Sequence, residues 1–126
     1  MKDEGGKRMP EDLRVRTKQF ELRVIGLYQA LPRRDGAAQV PGKQLLRTGT
    51  SVAAHYREAS RAKSNLDLVS KLEGAPQELD ETDLWIELLG ESGLVKTHRV
   101  TSLRAETNEL IAISVTMAKK VKAQTL

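Results

Sequence analysis

The sequence predicts an all-α fold, an antiparallel up-and-down four-helix bundle. Three observations carry this. Apolar residues recur at alternating spacings of four and three along four stretches, the period of helix faces turned toward a core. No stretch sustains the two-residue alternation of a half-buried strand, and the most β-like run, Ile111 to Val115, lies inside a longer helical period. Glycine and proline gather between the stretches, and the connections they mark are short, so consecutive helices run antiparallel. A chain of 126 residues, 39% of them hydrophobic, has material for one core and too little for two. Its aromatic residues are Phe20, Tyr28, Tyr56 and Trp85, so Leu, Val, Ile and Ala must fill that core.

Residues 1–11 are charged and contain Gly5, Gly6 and Pro10, which predicts a flexible N-terminal tail. The bundle domain is expected over 12–122. The first helix is predicted over 12–31, with Leu13, Thr17, Phe20, Val24, Leu27 and Leu31 on one face, and Pro32 ending it because proline cannot continue the hydrogen-bond ladder. The segment 32–41, with Gly36 and a proline at each end, reads as a loop. The second helix then starts near Pro41, a residue suited to a first helical position, and continues to about Ala62 along Leu45, Gly49, Val52, Tyr56 and Ala59. Ser64 and Asp67 form a capping pair for a third helix over 65–91, whose seam is Leu68, Leu72, Ala75, Leu79, Thr82, Ile86 and Leu89. Gly74 and Pro76 interrupt it. The unbroken phase of the stripe across Pro76 favours a kinked helix over two separate ones. Gly90 and Gly93 close this helix, and Leu94 and Val95 plug the bundle end. The fourth helix is predicted over 98–122, capped by Thr97, with Val100, Leu103, Thr107, Leu110, Ser114, Met117 and Val121 inward, and residues 123–126 fray.

Several chemistries are excluded or disfavoured at once. Without cysteine there are no disulfides, thiolate nucleophiles or thiolate metal sites, which suits a cytoplasmic protein. No apolar run is long enough to span a bilayer, and the N-terminus does not read as a secretory signal, so no membrane partner is expected. The segment RTGTS at 47–51 lacks the frame of a phosphate loop and falls within a helix. Carboxylates crowd the third helix, but neither His55 nor His98 stands three residues after a glutamate, so a di-metal bundle site is not indicated. Ser51, His55 and Glu58 share one side of the second helix, yet a continuous helix offers no oxyanion hole. The expectation is therefore a non-enzyme with no catalytic, metal or cofactor residues.

Charge is more informative. The net charge of +4 divides into +7 over residues 1–63, −6 over 64–97 and +3 over 98–126. Such segregation fits either contact with a polyanion or helices with complementary faces. Arg33, Arg34, Arg57, Lys119, Lys120 and Lys122 are the candidate nucleic-acid contacts, with no aromatic residues among them to stack on bases. Arg47, Arg61, Glu78 and Glu81 are candidates for ion pairs within or between subunits. Tyr56 and Trp85 are candidates for a subunit interface, because apolar residues come as adjacent pairs that one seam cannot bury together.

The run QLLRTGTSVAAHYREASRAKS at 44–64, followed by KLEGAPQELDETDLWIELLGESGL at 71–94, resembles the four-helix bundle family whose members include proteins encoded in intervening sequences of bacterial 23S ribosomal RNA genes. Its most distinctive positions here are Arg47, Ser51, His55 to Ala59, Arg61, Ser64, Glu78, Glu81, Trp85 and Glu87. The resemblance covers about residues 15–122. It implies a homopentamer with a central opening, and it is similar to the accessory variability protein of diversity-generating retroelements, a basic pentamer that partners a reverse transcriptase. This sequence departs from the family pattern at His55, where asparagine is usual, and at Gly74-Ala75-Pro76. The expected function is a non-enzymatic homo-oligomeric scaffold or adaptor, with an accessory protein binding RNA or DNA as the alternative.

Overall fold

The structure, a computed structural model, describes residues 11–125. The expected tail lies outside them except for Glu11. Four helices follow in order: α1 (Glu11–Gln29), α2 (Gly36–Ser60), α3 (Asn65–Glu91) and α4 (Thr97–Thr125). Each packs on the next, and α1 closes the ring against α4 more sparsely. Antiparallel register shows in the seams: Gly49 lies against Val24, Arg47 reaches Glu81, Lys71 reaches Glu58, and Arg104 reaches Asp83. The bundle is therefore up-down-up-down. Among the described residues, no helix is long and apolar enough to cross a membrane.

The inward stripes are those the spacing predicts. Leu13, Phe20, Val24, Leu27 and Leu31 meet Leu45, Val52, Tyr56 and Ala59, then Leu68, Leu72, Ala75, Leu79, Ile86 and Leu89, then Leu103, Leu110 and Val121, all buried. Hydroxyls interrupt this core without being stranded in it. Thr17, Thr48, Thr82, Thr107 and Ser114 are buried, and each donates to a backbone carbonyl three or four residues earlier, so no hydroxyl is left unpaired. Tyr56 is the largest fully buried side chain, and its hydroxyl crosses the bundle to Ser114 and to the carbonyl of Leu110.

Several boundaries differ from expectation, among them the end of α2, at Ser60 and not near Ala62, and the start of α4, at Thr97 itself. The second helix begins at Gly36, not near Pro41. Asp35 adopts an extended conformation and accepts from the amide of Ala37 at 2.9 Å, which caps the first turn, and Ala38 is buried. Pro41 thus sits inside α2, where it removes one ladder donor near the helix start. Correspondingly, α1 ends at Gln29, and Leu31 packs from the short turn beyond it. The fourth helix runs on to Thr125, where fraying from 123 was expected.

At Pro76, α3 stays one continuous helix. Leu72, Ala75 and Leu79 are all buried around it, and their packing outweighs one missing hydrogen bond. Ser64 caps α3 by accepting from Asp67 N at 3.1 Å, while the Asp67 carboxylate accepts from the amide of Lys63. At its other end Gly93 has φ +80, a left-handed conformation that suits glycine, and the bonds Gly93 N to Gly90 O and Leu94 N to Leu89 O form a Schellman cap. Leu94 and Val95 tuck against the core there.

Candidate functional site

Most seams of the bundle are stitched by charge. Between α2 and α3, Arg47 donates to Glu81 at 2.8 Å, and Trp85 donates its indole N–H to the same carboxylate oxygen at 3.3 Å. Farther along that seam Lys71 lies 3.8 Å from Glu58. Between α3 and α4, Arg104 forks onto Asp83 at 2.9 and 3.1 Å and lies near Glu87, and Lys122 reaches Glu73 at 2.5 Å. Between α1 and α4, Arg16 forks onto Glu106 at 2.7 and 2.8 Å and also binds Glu109. The hydrogen bonds to Glu106 and Glu109 hold the Arg16 guanidinium well above its usual range, and the bond to Asp83 does the same for Arg104. The acidic third helix is thus partly neutralised from both sides by its neighbours.

The candidate nucleic-acid contacts fall in different places. Arg33 and Arg34 occupy the α1–α2 turn; Lys119 and Lys120 lie near the end of α4, which the antiparallel topology puts at the opposite end of the bundle. Helices of this length separate those ends by about 30 Å or more. Arg57 lies on α2 and faces the α1–α2 groove. All five are exposed, and among the described residues their side chains have no hydrogen-bond or ion-pair partner. Lys122 is different: the ammonium is engaged by Glu73, so it is a stitch of the α3–α4 seam.

The candidate interface residues also separate. Tyr56 is 1% exposed, and its burial, against the opposing bond to Ser114, pushes the phenol above its usual range. It belongs to the core, with no surface to offer a partner. Trp85 is half-buried on the flank of α3. Beside it Leu84 and Leu88, one turn apart, are 45% and 43% exposed. Arg61 follows the end of α2, exposed and, among the described residues, unpaired through its side chain. Glu78 makes no ion pair among the described residues, and its Oε1 is buried without a partner.

Chemistry on the second helix is not assembled. The Ser51 hydroxyl donates to the Arg47 carbonyl, Glu58 faces Lys71, and His55 Nδ1 is buried without a partner, so the three groups engage separately. His98 is exposed at the start of α4. No group of three or more His, Asp or Glu residues suited to a metal ion occurs among the described residues.

Two features escaped the sequence reading. One is that His55 and Gly74 meet: a Cβ built on Gly74 would lie 2.7 Å from His55 Cε1 and 3.1 Å from Nδ1. His55 and Gly74 therefore form one packing arrangement across the α2–α3 seam. The other is a groove of about 290 Å³ between α1 and α2, lined by Arg14, Lys18 and Arg57 above Thr17, Thr50, Ala53 and Ala54. The four-residue spacing of Arg14 and Lys18 was visible in the sequence, but their proximity to Arg57 depends on how the two helices pair.

No curated protein matches the sequence. Among solved structures, the chain is similar to a protein of unknown function from the S23 ribosomal protein family of Bacteroides thetaiotaomicron. The two are 30% identical with a TM-score of 0.76, over 84% of this chain and 97% of that one. The profile of the 23S rRNA-intervening sequence proteins matches residues 11–116, which spans most of all four helices. On that match, over a bundle whose seams and caps are now placed, the chain belongs to the 23S rRNA-intervening sequence protein family.

Proposed function

We propose that the chain acts without catalysis, as a self-associating helical scaffold, with five copies the number its family resemblance implies. The observation behind this reading is the outward face of α3. Leu84 and Leu88 stand nearly half exposed one turn apart, and Trp85 flanks them. Arg47, Glu81, Asp83 and Arg104 pair on the two sides of this strip, so its charged borders are already satisfied and its centre is apolar. Burying such a strip against another copy removes apolar surface from water at about 25 cal/mol per Å², and tryptophan is enriched in such contacts. The test is solution mass by light scattering for the wild type and for Leu84→Glu/Leu88→Glu. The expected result is an oligomer that dissociates in the variant while helicity is retained. A wild-type monomer at high micromolar concentration would sink the reading.

A second reading, nucleic-acid binding, is favoured by the exposed cations without partners, Arg33, Arg34, Arg57, Lys119 and Lys120. It requires affinity that falls steeply as salt rises.

A further inference from the structure

We infer that the groove between α1 and α2 is a phosphate track for a single nucleic-acid strand. This deepens the nucleic-acid reading and rests on it; the scaffold reading stands or falls separately. Ion pairs cross the α2–α3, α3–α4 and α1–α4 seams, and among the described residues none crosses α1–α2. That seam nevertheless carries three cations. Arg14 and Lys18 line one wall and Arg57 the other, and among the described residues none of their side chains has a partner. Glu21 is the single acid of the lining. Elsewhere the bundle places carboxylates opposite its interhelical cations, so three unpaired ones around one depression leave a concentrated positive field open to an anion.

The shape fits an extended phosphate backbone. Thr17, Thr50, Ala53 and Ala54 keep the floor low, giving the groove its volume of about 290 Å³. Arg14 and Lys18 are one turn apart, about 6 Å along the axis, a spacing on the scale of successive phosphates in one strand. Arg61, one turn beyond Arg57, is also exposed and, among the described residues, unpaired, and it continues the cationic wall past the end of the groove. A slot between two helices admits one strand more readily than a rigid duplex. No aromatic side chain lines it, so recognition runs through phosphates and is indifferent to base sequence.

The test is fluorescence anisotropy with a labelled, unstructured single-stranded RNA at low and moderate salt. The wild type is compared with Arg14→Glu/Lys18→Glu/Arg57→Glu and with Arg33→Glu/Arg34→Glu/Lys119→Glu, which carries the same change in charge away from the groove. The expected result is about a tenfold or greater loss for the groove variant, with its log–log salt slope reduced by about 2, and a much smaller loss for the other. Equal losses, or a larger loss for the second variant, would overturn the groove as the site while leaving RNA binding intact. No binding by the wild type even at low salt would overturn the nucleic-acid reading and the groove together. If the glutamate variant loses helicity, Arg14→Gln/Lys18→Gln/Arg57→Gln serves in its place, with the same ranking expected.

Discussion

The His55 imidazole sits where a side chain at position 74 would have to go. A methyl group at Gly74 would fall well inside van der Waals contact with the ring. Alanine is otherwise the better helix former, by about 1 kcal/mol, so the sign of Gly74→Ala reports which effect wins. We expect the overlap to win and Gly74→Ala to destabilise the fold by about 1–3 kcal/mol. Shortening the opposing side chain with His55→Asn should recover most of that loss. Urea denaturation of the wild type, both single variants and the double variant measures the coupling; strictly additive effects would show that the two positions do not share the space. Gly49 makes a similar close approach, since a Cβ there would lie 2.7 Å from Val24 Cγ1, and the buried, branched Val24 has little room to turn aside.

Helix boundaries are decided by which backbone groups find partners. Proline at 41 and glycine at 36 read as loop punctuation, yet Asp35 satisfies the amide of Ala37, and buried Ala38 anchors the added turn. Asp35→Ala should therefore cost about 1 kcal/mol and raise amide exchange in residues 37–40. Had α2 begun at Pro41, the substitution would leave exchange there unchanged, which makes hydrogen exchange the discriminating measurement. Pro76 shows the same balance in a helix interior. Its missing donor is tolerated because Leu72, Ala75 and Leu79 are buried on both sides of it, while Ser64 and Gly93 fix the two ends.

Across the whole molecule, α1 is the least enclosed element. It packs chiefly on α2, and its link to α4 runs through long side chains, Arg16 to Glu106 and Glu109 and Arg23 to Ser102. Arg16 is about a third exposed at the side chain, so solvent screening limits what its pairing contributes. Arg16→Ala is expected to lower stability by about 1 kcal/mol or less, and to speed exchange in α1 ahead of α3. Uniform acceleration in all four helices would mean that α1 does not open separately. The same layout explains the charge segments: the acidic third helix lies between two helices that supply its cations, which leaves the unpaired positive charge on α1, the far side of α2 and the two ends.

The sequence by itself determined the helical class, the number of helices and nearly every buried position, because a core-facing stripe is a local period that survives translation into structure. Ser64 as a cap, Gly93 as a stop and Leu94 with Val95 as a plug were legible for the same reason: each depends on residues within a turn of one another. What only the tertiary structure decided depends on which helices become neighbours and in what register. That joined the Tyr56 hydroxyl to Ser114, paired Lys122 with Glu73, brought His55 onto Gly74 and gathered Arg14, Lys18 and Arg57 around one groove. Each of these relations joins side chains far apart along the chain, and no local period encodes such a distance.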